Sequence, residues 1–337
     1  MSTAVVSVAS GQAVPDARTV DRILNTAADS GFSGVVLIAA RDSVLLERAY
    51  GARGPRLTPE SAFWIASMTK GFTAVAVLQL TERHRLSLRD SLPSFFPDVP
   101  ADKRGITIHQ LLTHTAGLAS SDAGAHEVER SAAVRAILAQ PLAYPPGRGY
   151  QYGDDDYELL AAIIELVTHR SWESFVQRQI LDPAGLRHTG FWCRRRPGVP
   201  LPVAAADGPR SRCGVSGDWG HRGADGMSST AIDLLHWTRP STLEKLLGPA
   251  ARRAFTTPQV LVRREPPDDV FYGYGLRIYT RGGQVTELMH SGGGDDGHTG
   301  IVRVFPFGLT VIVLSNAGMH AGTTWSSHVA RLLASRP

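Results

Sequence analysis

At 337 residues with 43% hydrophobic content, the chain is long enough to bury a full core and exceeds the usual single-domain size, so two intertwined lobes are expected. The formal charge of +4 is small for that length, and its arginine run, Arg194-Arg195-Arg196, lies among Pro and Gly, which argues for a solvated loop and against a nucleic-acid patch. No stretch reaches the ~18 apolar residues of a membrane span. Residues 1–14 lack the basic-then-apolar order of an export signal, so a cytoplasmic protein without a membrane partner is expected.

A polar leader occupies 1–15. Residues 20–28 then carry the pattern of a short amphipathic helix, and 34–40 and 43–50 read as two strands joined by Arg41-Asp42. From 67 to 83 the apolar residues Phe72, Val75, Ala76, Leu78 and Leu80 have few polar neighbours, which predicts a buried helix. Between about 86 and 221 helices are expected at 108–113, 131–139, 155–168 and 172–180, with no strand alternation, and the Gly/Pro/Arg-rich stretch 194–226 is read as a long loop. From 271 onward the period changes to that of strands, at 274–279, 284–289, 300–305 and 309–315, before a closing helix near 325–333. Consecutive strands with short connections make antiparallel neighbours. The expected fold class is therefore α/β of the α+β type: a sheet domain from 16–85 and 222–337, with a mainly helical domain, 86–221, inserted.

The two cysteines, Cys193 and Cys213, show neither metal-knuckle nor redox spacing and are read as free thiols. The twelve histidines contain no ligand spacing, so neither a metal nor a cofactor is expected.

Chemistry concentrates at Ser67-Met68-Thr69-Lys70, which sets a hydroxyl and an amine one helical turn apart. Lysine is scarce here: three (Lys70, Lys103, Lys245) against 32 arginines. Arginine cannot be deprotonated in a protein, whereas a desolvated lysine is pushed toward neutrality and can take a serine proton. Placing Ser67 in the first turn of a helix adds favourable backbone dipoles. Alone, a Ser-x-x-Lys more often marks a helix start than a nucleophile. Two further motifs follow in order, Tyr152-Gly153-Asp154 and His290-Ser291-Gly292, and they reverse that balance.

Together these three motifs resemble the serine β-lactamase and penicillin-binding protein superfamily, in its class C β-lactamase-like branch of esterases, D-amino-acid peptidases and transacylases. Supporting segments are Leu111-Leu112-Thr113-His114-Thr115-Ala116-Gly117-Leu118, Pro146-Gly147, 226–234 and Val313-Leu314-Ser315-Asn316. The resemblance implies a β-lactamase-like antiparallel sheet flanked by helices, with the site in the cleft. It implies Ser67 as nucleophile, Lys70 and Tyr152 as proton carriers, and the backbone N–H groups of Ser67 and Gly293 as the oxyanion hole. His290, Ser291, Gly292 and Asp154 would face substrate. Tyr150 competes with Tyr152 for the tyrosine role, but the following Tyr157 and Leu160 fit a helix start only if Tyr152 is the motif residue.

Two positions depart from the family pattern. His290 stands where many β-lactamases carry Lys, and an imidazole would hold a substrate carboxylate less firmly and more pH-dependently. Asp154 replaces the usual Asn; an ionised carboxylate cannot donate a hydrogen bond, so it would either pair with Lys70, raising its pKa, or orient a substrate amine. Asp155 and Asp156 read as first-turn charges favouring the helix dipole. His114 reads as a packed or hydrogen-bonded structural residue.

The function expected is a serine acyl-enzyme hydrolase, an esterase or amidase acting on a small-molecule ester or amide. A transacylase with an alcohol or amine acceptor, as in secondary-metabolite biosynthesis, is an alternative, and a non-catalytic ligand-binding homologue is another. No nucleic-acid partner is expected, and the sequence carries no signal for oligomeric state.

Overall fold

The computed structural model describes residues 25, 32–41, 43–51, 57–125, 127–191, 219–293 and 299–317. The helix expected at 20–28 apart from residue 25, the helix expected at 325–333, both cysteines and most of the 194–226 loop lie outside the described residues.

Among the described residues eleven strands appear in chain order: β1 Gly34–Ala40, β2 Ser43–Tyr50, β3 Phe63–Trp64, β4 Gly190–Phe191, β5 Met227–Ser229, β6 Val260–Glu265, β7 Asp268–Tyr272, β8 Arg277–Arg281, β9 Gln284–Gly293, β10 Thr299–Phe305 and β11 Leu309–Ser315. The main helices are α1 Thr69–Glu82, α2 Ile108–Leu112, α3 Arg130–Ala139, α4 Asp155–Thr168, α5 Trp172–Val176, α6 Ala231–Thr238, α7 Pro240–Leu246 and α8 Pro249–Thr256. An eight-stranded antiparallel sheet runs β2-β1-β11-β10-β9-β8-β7-β6, and β3-β5-β4 form a small second sheet. The main sheet is thus built from both ends of the described chain. Among the described residues, no helix is long and apolar enough to cross a membrane.

Strand β1, Gly-Val-Val-Leu-Ile-Ala-Ala, is apolar on both faces because both faces are covered. Val35, Leu37 and Ala39 join Ile312 and Leu314 in the core beneath the helices, while Val36 and Ile38 join Phe32, Ile301, Val311 and Val313 on the far side. The other end of the sheet differs. Strand β6 is largely exposed, carries Arg263-Arg264-Glu265, and turns through Pro266-Pro267 into β7. The polar run from Arg263 to Asp269 interrupts the apolar pattern, which is why strands were expected only from 271, although β7 buries Val270 and Tyr272. Strand β8 begins at Arg277, three residues later than predicted, because Gly273 to Leu276 make a turn in which Gly275 has φ +70°. A Cβ on Gly275 would stand 2.7 Å from the Lys70 carbonyl oxygen, so this turn closes directly on α1. Three short strands that the sequence did not reveal, β3, β4 and β5, pair with one another.

Helix α1 is buried from Thr69 to Leu80 and is apolar nearly all round, as a central helix must be. Its Phe72 ring stacks on Trp237 of α6 at 4.0 Å. A capping box starts α2, with Thr107 Oγ1 accepting from the Gln110 N–H and Gln110 Oε1 accepting from the Thr107 N–H.

Candidate active site

Strand β3 delivers the chain to Ser67 through a strained step. Ala66 has φ +43°, a region costing a non-glycine residue about 1–3 kcal/mol, and such strain gathers at functional sites. The turn is held by Ile65 N–H donating to Met227 O at 3.0 Å and Met68 N–H donating to Ile65 O at 3.1 Å. Ser67 emerges half-exposed while Lys70, at the start of α1, is fully buried.

The Lys70 ammonium meets three acceptors: Asp154 Oδ1 at 2.5 Å, Ser67 Oγ at 3.0 Å and Ala224 O at 3.2 Å. Three acceptors match the three protons of a charged lysine. Burial pulls the Lys70 pKa down, but the Asp154 carboxylate and the Tyr152 phenol beside it outweigh burial and hold it above the ordinary lysine value. The expectation that desolvation makes Lys70 neutral is therefore overturned: a charge of opposite sign lies in contact. Of the two roles open to Asp154, the structure shows the pair with Lys70.

The Tyr152 ring centroid lies 4.9 Å from Lys70 Nζ. Tyr150 sits further along the aromatic cluster, 5.9 Å from Tyr272 and 6.2 Å from His114, with burial pushing its pKa upward. Across the cleft, β9 carries His290, Ser291, Gly292 and Gly293. A Cβ on Gly292 would stand 2.1 Å from Ile65 O and 3.0 Å from the Ser67 nitrogen, so only glycine lets β9 lie against the nucleophile turn. Gly293 follows at the end of the strand, opposite Thr299, and 294–298 lie outside the described residues.

His290 is buried, and burial, with Arg277 and Lys70 nearby, brings its pKa down to about 3. The neutral ring donates Nδ1–H to Ser291 O at 2.6 Å and accepts from the Tyr272 hydroxyl at Nε2, 3.2 Å away. It does not titrate near neutral pH, which corrects the expectation of a pH-dependent carboxylate holder. Sequence reasoning missed Arg277. Its half-buried guanidinium lies 5.8 Å from the Tyr152 ring centroid, and among the described residues it pairs with no carboxylate. No motif marks it; only the turn at Gly275 brings it to the cleft.

Asp155 and Asp156 stand in the first turn of α4, as expected, and the structure adds side-chain partners for each. Both are buried, Asp155 accepting from Ser121 Oγ at 2.8 Å and Asp156 Oδ2 lying 2.6 Å from His114 Nδ1. Burial raises the pKa of each. No cluster of metal-ligating side chains occurs among the described residues.

The Beta-lactamase family model matches residues 20–323. The chain belongs to the Beta-lactamase family. This Beta-lactamase family chain is 30% identical over 182 residues to the putative penicillin-binding protein PbpX of Bacillus subtilis, an alignment covering 52% of this chain and 46% of that protein. It thus spans less than half the length of that relative. The octameric penicillin-binding protein homologue from Pyrococcus abyssi superposes with a TM-score of 0.80 at 22% identity, covering 96% of this chain and 78% of the other. A D-amino acid amidase from Ochrobactrum anthropi, in complex with D-phenylalanine, gives 0.77 at 19% identity, covering 96% and 100%. These likenesses establish the β-lactamase-type fold with its antiparallel sheet and flanking helices.

Proposed function

We propose that this chain is a serine acyl-enzyme hydrolase acting on a small-molecule ester or amide. The observation that carries the proposal is the Lys70 ammonium bridging Ser67 Oγ and Asp154 with the Tyr152 ring beside it. With Lys70 fixed as a cation, the proton relay falls to Tyr152. Ser67 Oγ adds to the carbonyl carbon and its proton passes to the Tyr152 oxygen as Tyr152 gives its own to the leaving oxygen or nitrogen. The bond to the leaving group breaks and acyl-Ser67 remains; water then enters and the relay runs in reverse. The Ser67 and Gly293 amides would receive the oxyanion, one such donor being worth about 3 kcal/mol in a protease example.

Arg277 gives the substrate its character. With His290 neutral, the Arg277 guanidinium, which pairs with no carboxylate among the described residues, is a cation available to a substrate carboxylate at this end of the cleft. The test is intact-protein mass spectrometry and turnover with p-nitrophenyl esters. Ser67→Ala is expected to lose the covalent adduct and at least ~10⁴-fold in turnover; an adduct retained by that variant refutes the reading. Arg277→Ala is expected to raise KM about tenfold for an ester with a free carboxylate and to leave neutral esters unchanged. Adding an amine or alcohol decides whether the ester is resolved by water or by an acceptor, as in a transacylase.

The Lys70–Asp154 pair also favours a second reading, a ligand-binding homologue in which the frozen ammonium holds the site inactive. Asp154→Asn would then gain acylation that the parent chain lacks, and turnover by the parent chain would refute it.

A further inference from the structure

His114 lies in the segment between α2 and the Tyr152 loop, and the mechanism above leaves it unused. Its side chain is fully buried, with Nδ1 2.6 Å from Asp156 Oδ2, while Nε2 meets no hydrogen-bond partner. Buried polar nitrogens are rarely left this way, and such an exception calls for an explanation. The imidazole is enclosed by tyrosines, its centroid 4.5 Å from that of Tyr152, 4.7 Å from Tyr272 and 5.2 Å from Tyr157. The hydroxyls of two of these are engaged elsewhere, Tyr157 donating to Leu112 O at 2.8 Å and Tyr272 to His290 Nε2.

The backbone of the same residue reaches the same target. His114 has φ +56°, which a β-carbon-bearing residue holds only when its surroundings impose it. In that conformation its carbonyl accepts the N–H of Gln151 at 3.0 Å and the hydroxyl of Tyr144 at 3.2 Å. Two more bonds stitch the same segments, Gly147 N–H to Thr115 O and Ala143 N–H to Gly117 O, both 2.8 Å. The loop carrying Tyr152 is therefore laid on the 114–117 segment, one residue before Tyr152 by backbone and at Tyr152 itself by ring packing.

We propose that His114, held by Asp156, is the positioning residue of Tyr152, fixing the ring that carries the proton between Ser67 and the leaving group. The dyad ties the segment after α2 to the first turn of α4, two residues beyond Asp154, so it also sets Tyr152 relative to the Lys70–Asp154 pair. The charged or titratable groups facing it are Lys70 of α1, Arg277 of β8, His290 of β9, Asp154 and Asp155 at the start of α4, and the surrounding tyrosines. The imidazole stays neutral there, because burial and the cations Lys70 and Arg277 oppose its protonation. The proposal rests on the reading of Tyr152 as the proton carrier.

The experiment is single-turnover acylation by p-nitrophenyl acetate. It compares the full chain with His114→Asn, Asp156→Asn and Ser67→Ala, each normalised to folded protein by circular dichroism. Asn at 114 keeps an N–H within reach of Asp156 and removes the ring edge; Asn at 156 keeps the volume and an acceptor oxygen. For His114→Asn the expected result is an acylation rate about ten- to hundredfold lower with KM little changed, the penalty of a catalytic group displaced by a fraction of an ångström to 1 Å. Asp156→Asn should lower the rate by a smaller factor, again with KM little changed. Folded variants with the parent's rate overturn the proposal, as does failure of both to fold, which would assign the dyad to the core alone. Acylation retained in Ser67→Ala, or absent from the parent chain, overturns the hydrolase reading and this proposal with it; loss confined to Ser67→Ala overturns this proposal only.

Discussion

His114 with Asp156 and His221 with Asp225 are the same two side chains paired twice around Lys70, at 2.6 and 3.1 Å, yet the two histidines titrate in opposite directions. At His114 burial lowers the pKa well below the ordinary value, and the cations Lys70 and Arg277 push the same way. At His221 burial is outweighed by Asp225, Glu158 and Asp154, which bring the pKa up to about 9. His221 also keeps 29% of its side chain exposed, whereas His114 has none. At His221 the partner Asp225 is the largest influence opposing burial, with Glu158 and Asp154 adding to it; at His114 burial leads and the surrounding cations reinforce it. Around Lys70 this yields one neutral side, facing the aromatic cluster, and one ionic side, facing the loop before β5.

Lys70 and Asp154 lie between those sides, and breaking them is the harshest test of the contrast. Asp154→Ala leaves a buried ammonium with only neutral acceptors, and a loss of about 3–5 kcal/mol in urea unfolding is expected. A loss under ~1 kcal/mol would mean that Lys70 simply sheds its proton. The smaller test is His221→Gln followed over pH. The His221 pKa is raised on folding, so its contribution to stability is complete below the unfolded value of about 6.5 and disappears as pH rises through about 9. Glu158, raised to about 8, slopes the same way over its own range, since the folded state retains a proton that the unfolded chain has lost. The parent chain should therefore lose stability between about pH 6.5 and 9, and His221→Gln should flatten that fall. His114 acts with the opposite sign: its pKa is lowered, so its contribution is lost as pH falls below about 6.5, with the raised Asp156 opposing that slope. An unaltered alkaline limb in His221→Gln would remove the ionic half of the comparison.

The parts of the fold legible in sequence are those whose pattern is set by burial. Strands β1 and β2 stand at 34–40 and 43–50, as the apolar run and the Arg41-Asp42 break predict, and α4 occupies 155–168. Strand β6 escaped because an exposed edge strand buries too little for its residues to alternate, and β7, which buries Val270 and Tyr272, opens on Asp268-Asp269 directly after two prolines. Helices α6, α7 and α8 were passed over among Thr, Pro and Gly that serve as caps and first-turn residues. In the site, spacing along a helix was readable and charge environment was not. Ser67 and Lys70 are one turn apart on any reading, but the sign of the Lys70 shift depends on Asp154, 84 positions later. Asp155 and Asp156 were legible as first-turn residues, but not their burial, because sequence does not show that Ser121 and His114 fold over them. Arg277 was invisible for the same reason: its place comes from a turn, not from a motif.

The burial of Lys70 has a practical side for handling the protein. Of the three lysines, Lys70 is fully enclosed and Lys103 is 3% exposed and paired with Asp102 at 2.9 Å, which leaves Lys245 on α7 exposed. Arginines do not react with succinimidyl esters, so such a reagent finds one accessible side-chain amine. A dye or a solid support can be attached at Lys245, with the amine beside Ser67 protected by the fold itself.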